Sequence, residues 1–170
     1  MSRSNLLLGS GLILLAIVAR FLPHPPNFAP ITAVALFGGV YFSDKRVGMF
    51  LPLIIMFLSD LVLGLHNTLF FVYGSFMLMS GIGYWLKNHY SAKNVIVSAL
   101  SGSLLFFLIT NFGVWLTSAG FYPMTFEGLT TCYVAAIPFF QNSLLGDLVF
   151  TGALFGSYEF AKRQLPQFTA

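Results

Sequence analysis

The sequence predicts an all-α integral membrane protein, a bundle of six transmembrane helices in one domain that covers residues 1–170. Three observations lead to this prediction. Of the 170 residues, 57% are hydrophobic and only 8% are charged, whereas a soluble domain carries roughly a quarter charged residues. The apolar residues form six runs, most of them close to the ~20 residues that a helix needs to cross a bilayer. Nearly all basic residues lie in the termini and in every second connection, as expected for an even number of spans.

Turn-forming and polar residues separate the apolar runs. His24-Pro25-Pro26 ends the first run, Ser43-Asp44-Lys45-Arg46 ends the second, and His66-Asn67 ends the third. We predict helices over residues 6–21, 29–42, 47–65, 68–86, 95–116 and 142–160. The remaining residues, 117–141, contain Glu127 and Pro138. We predict that they form an outer lid-like segment with a short helix near 128–137, because a connection this long in a compact bundle is usually functional.

The basic residues predict the orientation of the bundle. Lys and Arg favour the cytoplasmic side of short connections. With the N-terminus inside, seven of the eight basic residues lie on cytoplasmic segments and only Arg20 lies outside. The seven are Arg3, Lys45, Arg46, Lys87, Lys93, Lys162 and Arg163. We therefore expect both termini to be cytoplasmic.

Composition and motifs exclude several classes of function. One Cys excludes a disulfide scaffold and a Cys-rich zinc site. Eight Lys and Arg in such an apolar chain make no surface for nucleic acid. The sequence contains no P-loop, GxSxG, HExxH or CxxCH motif. We expect a protein that is not an enzyme, has no cofactor or metal and is surrounded by the lipid bilayer. Active transport would require an energised partner or an ion gradient.

The polar side chains gather in the predicted outer half, which indicates a pocket open to the outside. An Asp at the centre of a transmembrane helix costs about 3 kcal/mol on insertion scales, so Asp60 and Asp147 must face protein or a wet cavity. Trp115 follows Asn111 by one helical turn and faces the same way, which pairs a stacking surface with an amide for a flat polar ligand. The predicted ligand-binding residues are Asn27, Asp60, His66, Asn111, Trp115, Tyr133, Gln141, Asn142 and Asp147.

Three other interpretations of these side chains stay open at this stage. Each polar residue taken singly is also typical of interhelical hydrogen bonds or caps that hold a bundle together. Asp60 and Asp147 would act as the acid and base of a membrane enzyme only if they lay a few ångströms apart with shifted pKa values. His24, His66 and Cys132 share the outer side and would suit a soft metal ion if they met.

Pairs of small residues spaced by four predict close helix packing. Packing inside the bundle is favoured over a surface for a partner protein. The pairs are Ala35/Gly39, Ser98/Gly102 and Gly152/Gly156.

Two stretches carry a resemblance to known proteins. The first is Pro25-Pro26-Asn27-Phe28-Ala29-Pro30-Ile31-Thr32, continued by Ala35-Leu36-Phe37-Gly38-Gly39, the basic turn Lys45-Arg46 and Leu58-Ser59-Asp60-Leu61. It resembles the opening half of the substrate-binding S components of energy-coupling factor (ECF) vitamin transporters. The second runs from Asn111-Phe112-Gly113-Val114-Trp115 through Pro138-Phe139-Phe140-Gln141-Asn142 to Gly146-Asp147. It looks like an uncharacterised family of small bacterial membrane proteins, and the two stretches cover most of the chain.

The resemblance implies an S-component-like six-helix bundle that captures a vitamin-sized ligand near the outer face. S components dock onto a shared transmembrane subunit driven by two cytoplasmic ATPases. We therefore expect a multi-pass protein of the bacterial inner membrane that binds a small vitamin-like solute for uptake and is energised by such a separate ECF-like module. The alternative is a structural accessory subunit that packs against other membrane subunits in a larger complex.

Overall fold

The computed structural model describes residues 3–42 and 44–164, and this part of the chain contains six α-helices and no strand. The helices are α1 (Arg3–Arg20), α2 (Ile31–Tyr41), α3 (Lys45–Leu63), α4 (Leu69–Asn88), α5 (Ala92–Thr117) and α6 (Phe126–Gln164). Ser43 and the side chains of Arg3, Arg20 and Lys45, which entered the turn and charge predictions, lie outside the described residues.

Four of the described helices are long and apolar enough to cross a membrane. They are the segments Arg46–Leu63, Leu69–Asn88, Ala92–Thr117 and Phe126–Gln164. The apolar helices over Leu7–Ala19 and Ile31–Tyr41 are shorter. The all-helical fold class of the prediction is confirmed, whereas the multi-pass membrane location, six full spans and cytoplasmic termini stay predictions.

Helix α2 lies at the centre of the bundle. Its 11 residues extend only about 16 Å, roughly half of the hydrocarbon thickness of a bilayer. Residues 31–40 are all buried, and α2 packs against each of the five other helices. A short apolar helix enclosed on every side explains why the sequence shows no polar face over this segment.

Glycines allow the backbones of α2 and α4 to touch. A β-carbon at Gly83 would lie 2.5 Å from the carbonyl oxygen of Leu36, and one at Gly39 would lie 2.6 Å from the backbone nitrogen of Tyr84. Gly102 on α5 faces a side chain, and a β-carbon there would lie 3.0 Å from the Thr32 methyl group. Packing inside the bundle is thus confirmed for Gly39 and Gly102. Gly152 and Gly156 have nothing within 4 Å of the β-carbon position.

Helix α6 corrects one prediction. It is a single helix of 39 residues with Pro138 inside it, so the lid-like segment 117–141 and the separate helices at 128–137 and 142–160 were wrong. The connection from α5 is only residues 118–125. A proline removes one hydrogen bond from the helical ladder, and helices of membrane proteins tolerate that loss where neighbouring groups compensate. Pro138 was therefore not the end of a helix.

The two ends of the bundle differ in character. One end, here called the basic end, carries the connections α2–α3 and α4–α5 and the last turn of α6. There Lys87 Nζ donates to the Phe42 carbonyl at 3.3 Å, and the Tyr41 hydroxyl donates to Glu159 Oε1 at 2.7 Å. The opposite end, here called the cavity end, is formed by residues 21–30, 64–68 and 118–125.

Candidate ligand-binding site

A cavity of about 630 Å³ lies at the cavity end of the bundle. Its volume is within the ~300–1,000 Å³ that is usual for small-molecule sites. Its wall combines the three connections of that end with residues of α2, α3, α4, α5 and α6. Among the α1 side chains that the structure describes, residues 7–19, none lines the cavity.

The structure brings four of the nine predicted ligand-binding residues to this cavity. Asn27 comes from the α1–α2 connection, His66 from the α3–α4 connection, Asn111 from α5 and Asp147 from α6. The sequence separates these residues by up to 120 positions, so only the helix packing assembles them.

Asp147 forms the floor of the cavity, because it is the lining residue farthest along α6 from the cavity end. The residue is 4% exposed. Its Oδ2 accepts a hydrogen bond from Ser103 Oγ at 2.6 Å, and Thr32 in the first turn of α2 also hydrogen bonds to the carboxylate. Asp147 therefore joins α2, α5 and α6.

Aromatic rings line the middle of the cavity. Phe76 on α4 and Phe106 on α5 pack with ring centroids 5.3 Å apart, and Phe139 on α6 belongs to the same lining. Met56 and Val72 add aliphatic surface. A mostly apolar wall with a few polar groups is the usual composition of a small-molecule site.

The rim of the cavity is polar. His66 Nδ1 lies 2.8 Å from Thr68 Oγ1 within the α3–α4 connection. Tyr122 reaches the rim from the α5–α6 connection, and His24 and Asn27 reach it from α1–α2. Asn27 has φ of 64°, a left-handed conformation that Asn adopts more readily than most residues.

Helix α6 holds the α1–α2 connection over the cavity. Asn142 Nδ2 donates to the Pro26 carbonyl at 3.0 Å. One turn further on, Gly146 faces the backbone of Phe28, and a β-carbon there would lie 3.1 Å from Phe28 Cα. Asn142 thus shapes the site through the Pro26 carbonyl and is not among the lining residues.

The other predicted residues also lie outside the lining. Asp60 is 2% exposed and accepts a hydrogen bond from the Tyr73 hydroxyl at 2.9 Å. Trp115 Nε1 donates to the Pro123 carbonyl at 2.9 Å, so Trp115 and Asn111 do not share the cavity as the stacking prediction required. Tyr133 donates to the Leu108 carbonyl at 2.6 Å. Gln141 is exposed outside the cavity.

Several lining residues had no distinguishing signal in the sequence. Phe76, Phe106 and Phe139 are three of 20 phenylalanines, and a chain rich in Phe gives no reason to select them. Thr110 and Ser143 hydrogen bond to carbonyls one turn back on their own helices. One indication for Thr110 and Ser143 was present in the sequence, which was their position on the helix relative to Asn111 and Asp147.

The positions of the histidines and carboxylates bear on the two remaining interpretations. His24, His66 and Cys132 all line the cavity, yet in residues 3–42 and 44–164 no three His, Cys, Asp or Glu side chains are grouped as a metal site. Asp147 lines the cavity and Asp60 does not, and each carboxylate bonds to a different hydroxyl. Asp60 and Asp147 therefore do not form an acid–base pair in the cavity.

Comparison with known proteins gives one match. DUF6580, a family of unknown function, matches residues 1–168, and the chain belongs to this family. The sequence prediction of an uncharacterised family is confirmed to that extent. No curated protein and no solved structure matches the chain, so the resemblance to S components stays a prediction.

Proposed function

We propose that this member of the DUF6580 family captures a small solute in the cavity and presents it for uptake across the membrane. The single observation that carries the proposal is the cavity of about 630 Å³, with an apolar wall, a polar rim and a buried carboxylate at its floor. Such a combination holds the body of a ligand by burial and fixes its orientation by a few polar contacts.

The charge distribution supports an outward-facing cavity in a bacterial inner membrane. Among the side chains that the structure describes, no Lys or Arg lines the cavity. Described basic residues lie at or next to the basic end: Arg46, Lys87, Lys93, Lys162 and Arg163. By the positive-inside rule, the basic end faces the cytoplasm and the cavity faces the solute outside.

Uptake against a gradient requires an energy source, which we propose is a separate module. The sequence contains no P-loop. The S-component resemblance supports a separate module with an ECF-like transmembrane subunit and two ATPases.

The test is retention of a small molecule by the purified protein. The full chain in detergent is incubated with a small-molecule cell extract, washed on a column and analysed by mass spectrometry. We expect one compound, or one chemically related set, to be enriched. Ala135→Phe places a ring in the cavity, because Ala135 is exposed and lines it, and should abolish retention.

The matched control is Ala153→Phe, which adds the same ring on the same helix at an exposed residue outside the cavity. This variant should retain the compound as the wild type does. If nothing is enriched, or if both variants retain the compound equally, the capture function is wrong. Copurification of stoichiometric membrane subunits without any retained compound would support the structural accessory role instead.

A further inference from the structure

We propose that the captured solute is a compact organic cation, with a protonated amine or quaternary ammonium head at Asp147 and an apolar or aromatic body between the phenyl rings. This inference rests on the proposed function and specifies its substrate class.

The charge of the lining is the first argument. Asp147 is the single Asp or Glu among the lining residues, and of the described side chains no Lys or Arg accompanies it. The Asp147 residue as a whole is only 4% exposed. Since Coulomb interactions strengthen as water is excluded, a cationic head at this position gains far more than it would at a surface.

The bonds that Asp147 already makes leave room for a ligand. A carboxylate has about four acceptor positions, and the described partners are the hydroxyls of Ser103 and Thr32. Both partners are neutral, so they orient the carboxylate without neutralising it. An ammonium head supplies the missing counter-charge together with up to three further donors.

The N-terminus of α2 does not turn the floor into an anion site. Its positive dipole end lies beside Thr32, and the acidic side chain of Asp147 already occupies this position. An anionic ligand would have to share the floor with a buried carboxylate, and like charges in a desolvated site repel strongly.

The aromatic wall is the second, independent argument. The ring faces of aromatic residues attract cations placed within about 6 Å of the ring centroid. Phe76 and Phe106 pack against each other in the wall, and Phe139 and Tyr122 line the same space. Rings on α4, α5 and α6 line the same cavity as the Asp147 carboxylate, so they can face an ammonium group and cover the apolar body attached to it.

The test compares three phenyl compounds of similar size and different charge on the full chain in detergent. The probes are phenethylamine, which is cationic at neutral pH, 2-phenylethanol, which is neutral, and 3-phenylpropionate, which is anionic. Binding is measured by isothermal titration calorimetry, with empty detergent micelles subtracted. We expect phenethylamine to bind at least about tenfold more tightly than the alcohol and 3-phenylpropionate not to bind.

Asp147→Asn removes the charge with little change in shape. It should weaken phenethylamine binding about tenfold and leave 2-phenylethanol unchanged. Glu159→Gln is the matched control, because it neutralises another acid of α6 at the basic end, outside the cavity lining, and should leave all three affinities unchanged. If Asp147→Asn does not fold, the order of the three probes on the wild type decides the question.

Failure of this inference is distinguishable from failure of the capture function. The cation proposal is wrong if the alcohol or the carboxylate binds as tightly as phenethylamine or more tightly. It is also wrong if the compound retained from the cell extract is neutral or anionic. In both cases the cavity still binds a solute, so the capture function stands. A protein that binds none of the probes and retains nothing from the extract loses both proposals. A retained amine or quaternary ammonium compound whose retention requires Asp147 supports the inference.

Discussion

Two buried aspartates of this protein have different surroundings. Asp60 on α3 is bound by the Tyr73 hydroxyl of α4 and lies outside the cavity. Asp147 on α6 is bound by Ser103 and Thr32 and lines the cavity. The sequence showed that both carboxylates need polar surroundings because they lie in apolar helices, but it gave them the same expected role. Only the structure distinguishes the two residues, by their hydrogen-bond partners and by their position relative to the cavity.

The first prediction concerns the Asp60–Tyr73 hydrogen bond. Tyr73→Phe removes the hydroxyl that binds Asp60 Oδ2 at 2.9 Å. We expect thermal or denaturant unfolding in detergent to show a loss of about 1 kcal/mol, as is usual for one interhelical hydrogen bond in a membrane protein. Retention of the solute should not change. A loss of retention without loss of stability would instead place Asp60 in ligand binding.

At the scale of elements, α2 is the part that the others surround. Its buried residues and its contacts with α4 depend on positions that have no side chain, Gly39 and Gly83. The sequence showed pairs of small residues spaced by four, such as Ala35/Gly39, and from these we predicted close packing inside the bundle. It did not show that α2 would be the central helix, because an apolar segment has the same composition whether it faces lipid or protein.

The second prediction tests this contact. Gly83→Ala places a methyl group 2.5 Å from the Leu36 carbonyl oxygen, and backbone atoms cannot move aside cheaply. We expect a loss of about 1–3 kcal/mol of unfolding free energy, typical of overpacking, measured in detergent. Gly81→Ala is the control on the same helix, with nothing within 4 Å, and should be neutral or mildly stabilising. Equal effects of both variants would contradict close packing of α2 on α4.

Helix α6 shows where local sequence signals failed. Glu127 and Pro138 were interpreted as breaks, yet both belong to one helix over Phe126–Gln164. Contacts with α5, such as Tyr133 to the Leu108 carbonyl at 2.6 Å, hold the first half of α6 in place. Packing of one helix on another is not visible in the local sequence, so the length of α6 was not predictable from it.

For the whole molecule, the proposed direction of uptake rests on the difference in charge between the two ends of the bundle. The cavity occupies one end, and the described basic side chains collect toward the other. The sequence alone predicted this asymmetry of charge. The cavity itself depends on three connections and five helices that meet in space.

The third prediction tests the orientation in intact bacterial cells. In a Cys132→Ala background, which removes the one native Cys, we introduce His66→Cys at the cavity rim or Lys93→Cys at the basic end. A membrane-impermeant maleimide should label His66→Cys in intact cells and Lys93→Cys only after permeabilisation, because the positive-inside rule places basic connections in the cytoplasm. The reverse pattern would invert the proposed direction.

The sequence by itself determined that this is a helical, membrane-type chain with a few polar groups in apolar segments, because composition and hydropathy are sums over residues and need no contacts. The tertiary structure alone decided which of those groups share a space. Asn27, His66, Asn111 and Asp147 line the cavity, whereas Asp60, Trp115, Tyr133 and Asn142 make hydrogen bonds outside the lining. The physical reason is that helix rotation and depth are set by packing, through close approaches such as Gly39 and Gly83, and these determine where each side chain points.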